Sequence, residues 1–292
     1  MEKIIYDTDM DTDCDDAGAL GLLMHYVKAG KGELLGIIAD TPVAEAAPCC
    51  EAICRWYGTV PPIGAVSHTE QEPRFAEYCA HRGRLAPTRY YNRILAEGIE
   101  TRAYPDAADL YRRLLEGEED HSVTIVCVGL LTALADLLET ADGAALLRRK
   151  VKRLVTMGDA TYPQQTEHLF NYQMDRIASS LFFQQCPVDV TVSPAGKEVI
   201  TGGRFSSDFP EEHPLRIAYE RFRGPFRGRS SWDLIAVLTV FEPQLFKEES
   251  HGTVRYSPEN RTYWENGPRN DRQITPILSD RELEAFLEAR LF

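Results

Sequence analysis

The chain has 292 residues, with 45 acidic against 32 basic side chains and a formal net charge of −13. Its length suits a single α/β domain spanning residues 1–292, and its acidity argues against nucleic acid or an anionic membrane as a general partner. Seven scattered cysteines, an odd number, do not form a secreted disulfide framework, and Cys50 and Cys54 read as small buried residues.

Lys3 to Thr8 predicts a strand and Asp15 to Lys28 a helix, with Ala17, Leu20, Met24 and Val27 as its apolar stripe. The start, Met1-Glu2-Lys3, leaves no room for a signal peptide, and no apolar run approaches the ~20 residues of a membrane helix. A soluble, cytoplasmic protein is expected. Leu34 to Ala39 is a second apolar run, Ala44 to Tyr57 has helical spacing, and Pro62 to Val66 predicts another strand. From Glu70 to Thr101 aromatics and arginines interleave, and the stretch reads as a surface helical excursion rather than a substrate-facing lid.

Further on, Leu110 to Leu115 reads as helix, Ser122 to Val128 as a buried strand turning into a helix at Gly129, and Lys152 to Met157 as a strand ending at Gly158-Asp159. Helices are predicted over Asp175–Phe183, His213–Phe222 and Ser230–Val240, and a strand over Val188–Val192. Residues 251–266 suggest a hairpin, and the tail from Asp280 a closing helix. Gly202-Gly203 and Arg223 to Arg229 are candidate mobile loops. Alternating strands and helices predict a doubly wound, mostly parallel sheet with helices on both faces. In such a sheet the strand ends share one edge, so Asp7–Asp16, Asp40, Val128-Gly129 and Gly158-Asp159 are expected to converge.

The first of these segments is the most informative. Asp7-Thr8-Asp9-Met10-Asp11-Thr12-Asp13-Cys14-Asp15-Asp16 holds six carboxylates in ten residues. Like charges that close raise one another's pKa, and a hard cation with oxygen ligands, Ca²⁺ or Mg²⁺, removes the repulsion. An EF-hand loop is ruled out, because its sixth position would be Thr12 or Cys14 instead of glycine. Asp7-Thr8-Asp9 with Gly158-Asp159 imitates the haloacid dehalogenase-type phosphatases, but the fifth position is Asp11 where they carry Thr or Val.

A fuller match lies elsewhere. Asp7-Thr8-Asp9 followed by Asp15-Asp16-Ala17-Gly18 resembles the N-terminal signature of the inosine-uridine-preferring nucleoside hydrolases. Val128-Gly129-Leu130-Leu131-Thr132-Ala133-Leu134-Ala135, Val155-Thr156-Met157-Gly158, Phe170-Asn171 and Ser231-Trp232-Asp233 resemble later blocks of that family, in the right order. The resemblance implies a Ca²⁺-dependent hydrolase of ribonucleoside N-glycosidic bonds, with Mg²⁺ as the alternative ion. It implies a nucleoside-like substrate, a salvage role and a homodimer or homotetramer. Carried over by position, Asp9 is metal ligand and general base, and Asp16, Val128 (through its carbonyl) and Asp233 are metal ligands. Asp15 lies on the ion or a ribose hydroxyl, and Asn171 holds sugar hydroxyls. Asp40, Trp232, Glu167 and His168 are further substrate-binding candidates. Asp7 is expected to orient the loop by accepting backbone N–H groups, and Asp13 is a possible extra ligand.

Four departures stand against the family pattern. Two extra residues separate Asp9 from Asp15-Asp16, Trp232 replaces the histidine that helps the departing base, Leu169 replaces a glutamate, and Asp40-Thr41 replaces Gly-Asn. The ion and ribose half is intact, whereas the base-recognition half is not, which leaves a non-catalytic metal and ribosyl-ligand binder as the alternative. Arg221, Arg223, Arg227 and Arg229 are read as surface charge, with an anionic substrate group as the other possibility.

Overall fold

The computed structural model describes every residue except Thr12, Thr101, Gln165, His168 and Leu169, and only the backbone of Thr166 and Glu167. Among the described residues the main sheet has ten strands. In chain order the strands are β1 (Glu2–Thr8), β2 (Gly32–Ala39), β3 (Ile63–Ala65), β4 (Val123–Cys127), β5 (Val151–Met157), β6 (Thr166–Glu167) and β7 (Val190–Ser193). They continue with β8 (Ile200–Thr201), β9 (Arg229–Ser230), β10 (Phe246–Ser257), β11 (Arg261–Glu265) and β12 (Asp271–Pro276). The spatial order β3-β2-β1-β4-β5-β7-β12 is parallel throughout. Antiparallel β10, β11 and β6 extend it, and β8 pairs with β9 in a separate ribbon. The expected doubly wound, mostly parallel sheet is present. The chain order reverses between β1 and β4, which makes their C-terminal ends the place where loops diverge and leave a crevice.

Alternation along β1 divides the interior. Ile4 and Tyr6 pack into one apolar layer with helices Asp15–Lys28 and Trp232–Phe241. Ile5 packs into the other with helices Ala107–Glu116, Thr132–Glu139 and Arg176–Gln185. Both layers are rich in fully buried aliphatic side chains, each stabilising by about 1.5–3 kcal/mol relative to exposure. The seven cysteines are all free, with Cys50 and Cys54 buried as expected, and no helix among the described residues is long and apolar enough to cross a membrane.

Three departures from the sequence reading bear on the site. Helix Gly143–Lys150 and strand β12 carry no periodic signal strong enough to predict, yet β12 joins the parallel sheet to its antiparallel extension. The 70–101 excursion forms helices Ala76–Arg82 and Tyr91–Ala96 with short 3₁₀ turns, and His81, Leu85 and Arg89 from it line the main pocket. The Arg223–Arg229 stretch is also anchored, because Arg229 sits in β9 and forms an ion pair with Asp13.

Candidate active site

A pocket of about 530 Å³ opens at the C-terminal edge of the parallel strands, within the range of roughly 300–1,000 Å³ usual for ligand sites. Asp9, Asp13, Asp15, Asp16, Val128, Asn171, Trp232 and Asp233 all line it. These come from four separate strand ends and helix starts, so the sheet edge brings together residues up to 224 positions apart (233 − 9).

The floor is built from Asp15, Asp16 and Asp233. Each is about 2% exposed, and they offer carboxylate oxygens within 4.8 Å of one another. Asp15 and Asp16 open helix Asp15–Lys28, and Asp233 lies in the first turn of Trp232–Phe241. Both helix N-termini therefore direct partial positive charge at the cluster. Thr8 Oγ1 donates to Asp16 Oδ1 at 2.5 Å, Tyr6 OH to the Asp16 carbonyl at 3.0 Å, and Asp233 N–H to Asp15 Oδ2 at 3.3 Å. Burial first, and repulsion from neighbouring carboxylates (Asp13 on Asp15, Asp9 on Asp16, Asp15 on Asp233) second, push all three carboxyls well above the usual range. Asp233 Oδ1 is buried and accepts no hydrogen bond from any described residue. Clustered carboxylates, one with an orphaned oxygen, are the donor set of a hard divalent cation, so the residues fit such an ion.

Around this floor stand Asp9, 3% exposed, and Asn171, whose Nδ2 donates to the Val128 carbonyl at 2.5 Å. That carbonyl, a sequence-expected ligand, is thus fixed by a neighbouring candidate. Leu131 opens helix Thr132–Glu139 with φ of +70°, a strained value for a leucine, so the turn after Val128 is held by its surroundings. A Cβ on Gly129 would meet Asp7 Oδ1 at 2.9 Å and Asp9 N at 3.0 Å, so only glycine lets β1 and β4 close here.

Two expected site residues lie elsewhere. Asp40, placed by sequence at the substrate, is fully buried and accepts from Ala133 N–H at 3.1 Å. Asp7, expected to accept backbone N–H groups, instead accepts from Tyr111 OH at 2.6 Å and from the Cys127 thiol at 3.4 Å. Strand parity is the reason. Asp7 pairs with Cys127 on one side and Ile38 on the other, so Asp7, Cys127 and Asp40 project to the layer away from the pocket. Burial raises both the Asp7 and Asp40 carboxyls. His168 lies outside the described residues, as does the side chain of Glu167.

The two surplus acids of the N-terminal loop have separate jobs that sequence reasoning missed. Asp11, fully buried, accepts from Arg82 Nε at 2.8 Å, Asn92 Nδ2 at 2.6 Å and Tyr78 OH at 3.1 Å. Asp13 accepts from Arg229 Nε at 2.9 Å through both of its carboxylate oxygens. Tyr91 OH adds a bond to the Asp13 carbonyl at 2.6 Å. The loop that carries the floor therefore also ties down the two segments that roof the pocket. Those segments add His81, Leu85, Arg89, Phe222 and Arg223 to its lining. The only sequence signal for this was the interleaving of arginine with aromatics, because Arg82 lies 71 residues from Asp11.

The family model for "Inosine-uridine preferring nucleoside hydrolase" matches residues 4–279. An inosine-uridine preferring nucleoside hydrolase from Bacillus anthracis is 18% identical over 99% of this chain and 100% of its own, with a TM-score of 0.71. A purine-preferring ribonucleoside hydrolase from Gardnerella vaginalis is likewise 18% identical over 99% and 98%, with a TM-score of 0.70. The type III effector protein XopQ, complexed with adenosine diphosphate ribose, is 12% identical over 99% and 93%, with a TM-score of 0.74. No curated protein matches the sequence. With the family model spanning nearly the whole chain over this fold, the chain belongs to the inosine-uridine preferring nucleoside hydrolases and is an N-ribosyl hydrolase.

Proposed function

We propose that the chain hydrolyses the N-glycosidic bond of a ribonucleoside or related ribosyl compound with Ca²⁺ at the Asp15, Asp16 and Asp233 cluster. The observation that carries this reading is the meeting of Asp9, Asn171, the Val128 carbonyl and that cluster in one pocket. Asp9, Asp15, Asp16, Asp233 and the Val128 carbonyl would hold the ion. When bound, it would supply positive charge for ribose hydroxyls and make a coordinated water more acidic. Mg²⁺ fits less well, since it favours strict octahedral geometry with several retained waters.

Cleavage passes through an oxocarbenium-like sugar, so the residues must favour positive charge at the anomeric carbon and deliver water to it. Asp9 takes a proton from the attacking water as its oxygen bonds to the anomeric carbon. The glycosidic electron pair goes to the base nitrogen. Asn171 fixes sugar hydroxyls, which turns an encounter into a positioned reaction. Trp232 offers a ring to stack on the base but no proton of comparable acidity. The reading includes a nucleoside-like ligand, a salvage role, a cytoplasmic location and assembly as a homodimer or homotetramer.

A panel of nucleosides, assayed for free ribose with Ca²⁺ and again after chelation, tests it. Ribose release that stops on chelation is the expected result. Equal release in both conditions removes the ion from the reaction. Calorimetric binding without product over long incubation favours the non-catalytic alternative, which the loss of the family histidine at Trp232 motivates.

A further inference from the structure

The pocket is electrically two-sided. Its floor carries Asp9, Asp15, Asp16 and Asp233, while the wall beside Trp232 carries Arg89, Lys197, Arg223 and Arg229. In a chain of net charge −13, four cations on one wall of the main cavity run against the background. Asp13 neutralises Arg229. Among the described residues, Arg89, Lys197 and Arg223 have no carboxylate partner: Arg89 lies over the Phe222 ring at 5.4 Å, and Arg223 Nε donates to the Gly228 carbonyl at 3.4 Å.

This wall is organised around aromatic rings. The Arg229 guanidinium, fixed by Asp13, sits 5.0 Å from the Trp232 ring centre and 5.6 Å from that of Phe222. Gly196, with φ of +126°, presses against the Trp232 backbone and sets Lys197 on the same side, where Ser230 Oγ donates to the Lys197 carbonyl at 2.7 Å. Flat rings with guanidinium planes on them suit a planar leaving group, and three uncompensated cations beside them suit one that is negatively charged. The chemistry agrees. Trp232 cannot protonate a departing base, and a positively charged wall stabilises negative charge on it without any proton transfer.

We propose that the substrate's leaving group carries a negative charge and that Arg89, Lys197 and Arg223 recognise it. This rests on the N-ribosyl hydrolase reading and names its substrate class. The anion lies on the base side of the glycosidic bond, away from the ribose-binding floor.

Three ribosides built on one frame test it by calorimetry on the full chain with Ca²⁺ at low salt. They are nicotinic acid riboside, nicotinamide riboside, and nicotinamide riboside 5′-phosphate. The acid and the amide differ only in a carboxylate against a carboxamide, and the third probe carries its charge on the sugar. The acid is expected to bind at least tenfold more tightly than the amide. That ratio should shrink toward one with added salt, and in the triple variant Arg89→Gln, Lys197→Gln, Arg223→Gln, whose exposed or half-exposed sites leave the fold undisturbed. Equal or weaker binding of the acid, no binding of any probe, a preference confined to the 5′-phosphate, or a ratio that survives in the variant each overturns the proposal. Ribose release from nicotinic acid riboside, inosine and uridine is measured alongside. Turnover of these without acid selectivity defeats the anion assignment alone, whereas acid-selective binding without any turnover defeats the hydrolase reading alone.

Discussion

The floor and the roof of the pocket are made in opposite ways. The floor hangs on parallel strands and two helix N-termini, where backbone hydrogen bonding leaves each carboxylate one place to go. The roof consists of short helices and a two-residue ribbon, and its fixed points are ion pairs to Asp11 and Asp13. Chemistry common to a family belongs on the first kind of support and recognition that differs between members on the second, because segments held by a few side-chain ties change with few substitutions.

Asp9→Ala gives the largest effect expected if this division holds. Removing the base should lower kcat by roughly 10²–10⁴-fold, with the circular dichroism spectrum and Tm close to those of the parent. A variant that loses Tm and keeps its rate would make Asp9 a structural residue and blur the division. Next is Arg82→Ala, which leaves Asp11 charged and buried without its partner. Breaking such a pair costs about 3–5 kcal/mol, read as a lower Tm together with a raised KM, since the helix that bears it lines the pocket. An unchanged KM would free substrate recognition from the roof.

The smallest effect concerns ion binding and pH. Asp15, Asp16 and Asp233 have pKa values raised by burial and then by the neighbouring carboxylates, Asp9 and Asp13 included. Without metal, the stability these groups provide is complete below the unfolded carboxylate value of about 4 and is lost as pH rises through the raised folded values. Ca²⁺ competes with those protons, so its stabilisation grows with pH. At about 100-fold excess over its Kd the gain approaches ~2.7 kcal/mol. The rise in Tm on adding Ca²⁺ should be larger at pH 8 than at pH 5.5, and equal rises would show that these carboxyls do not bind the ion.

Most of the floor could be read from the sequence, for one physical reason. The C-terminal ends of parallel strands share an edge, so locating strands locates the acids that follow them, Asp9, Asp15 and Asp16 among them. The same reasoning misplaced Asp40. A strand end states which edge a residue occupies, while parity decides which face it points to, and Asp40 shares a parity with Ile38 that turns it away from the pocket. The roof was beyond this kind of reading. Asp11 with Arg82 and Asp13 with Arg229 are pairs closed across 71 and 216 residues, and no local periodicity encodes which arginine meets which acid. The stretch from Glu70 to Thr101 reads as a surface helical excursion, whereas its short helices turn over the pocket, a direction set by those distant partners.

The seven residues from Asp9 to Asp15 therefore act as a socket as well as a ligand loop. Asp9 and Asp15 face the pocket, while Asp11 and Asp13 hold the roof segments through Arg82 and Arg229, as two plugs of fixed polarity. A roof segment of different length or composition can be exchanged against the same floor, provided it brings an arginine to each plug. Asp11 and Asp13 thus become the mounting points through which such a chain can change the compounds it accepts without touching the machinery that cuts them.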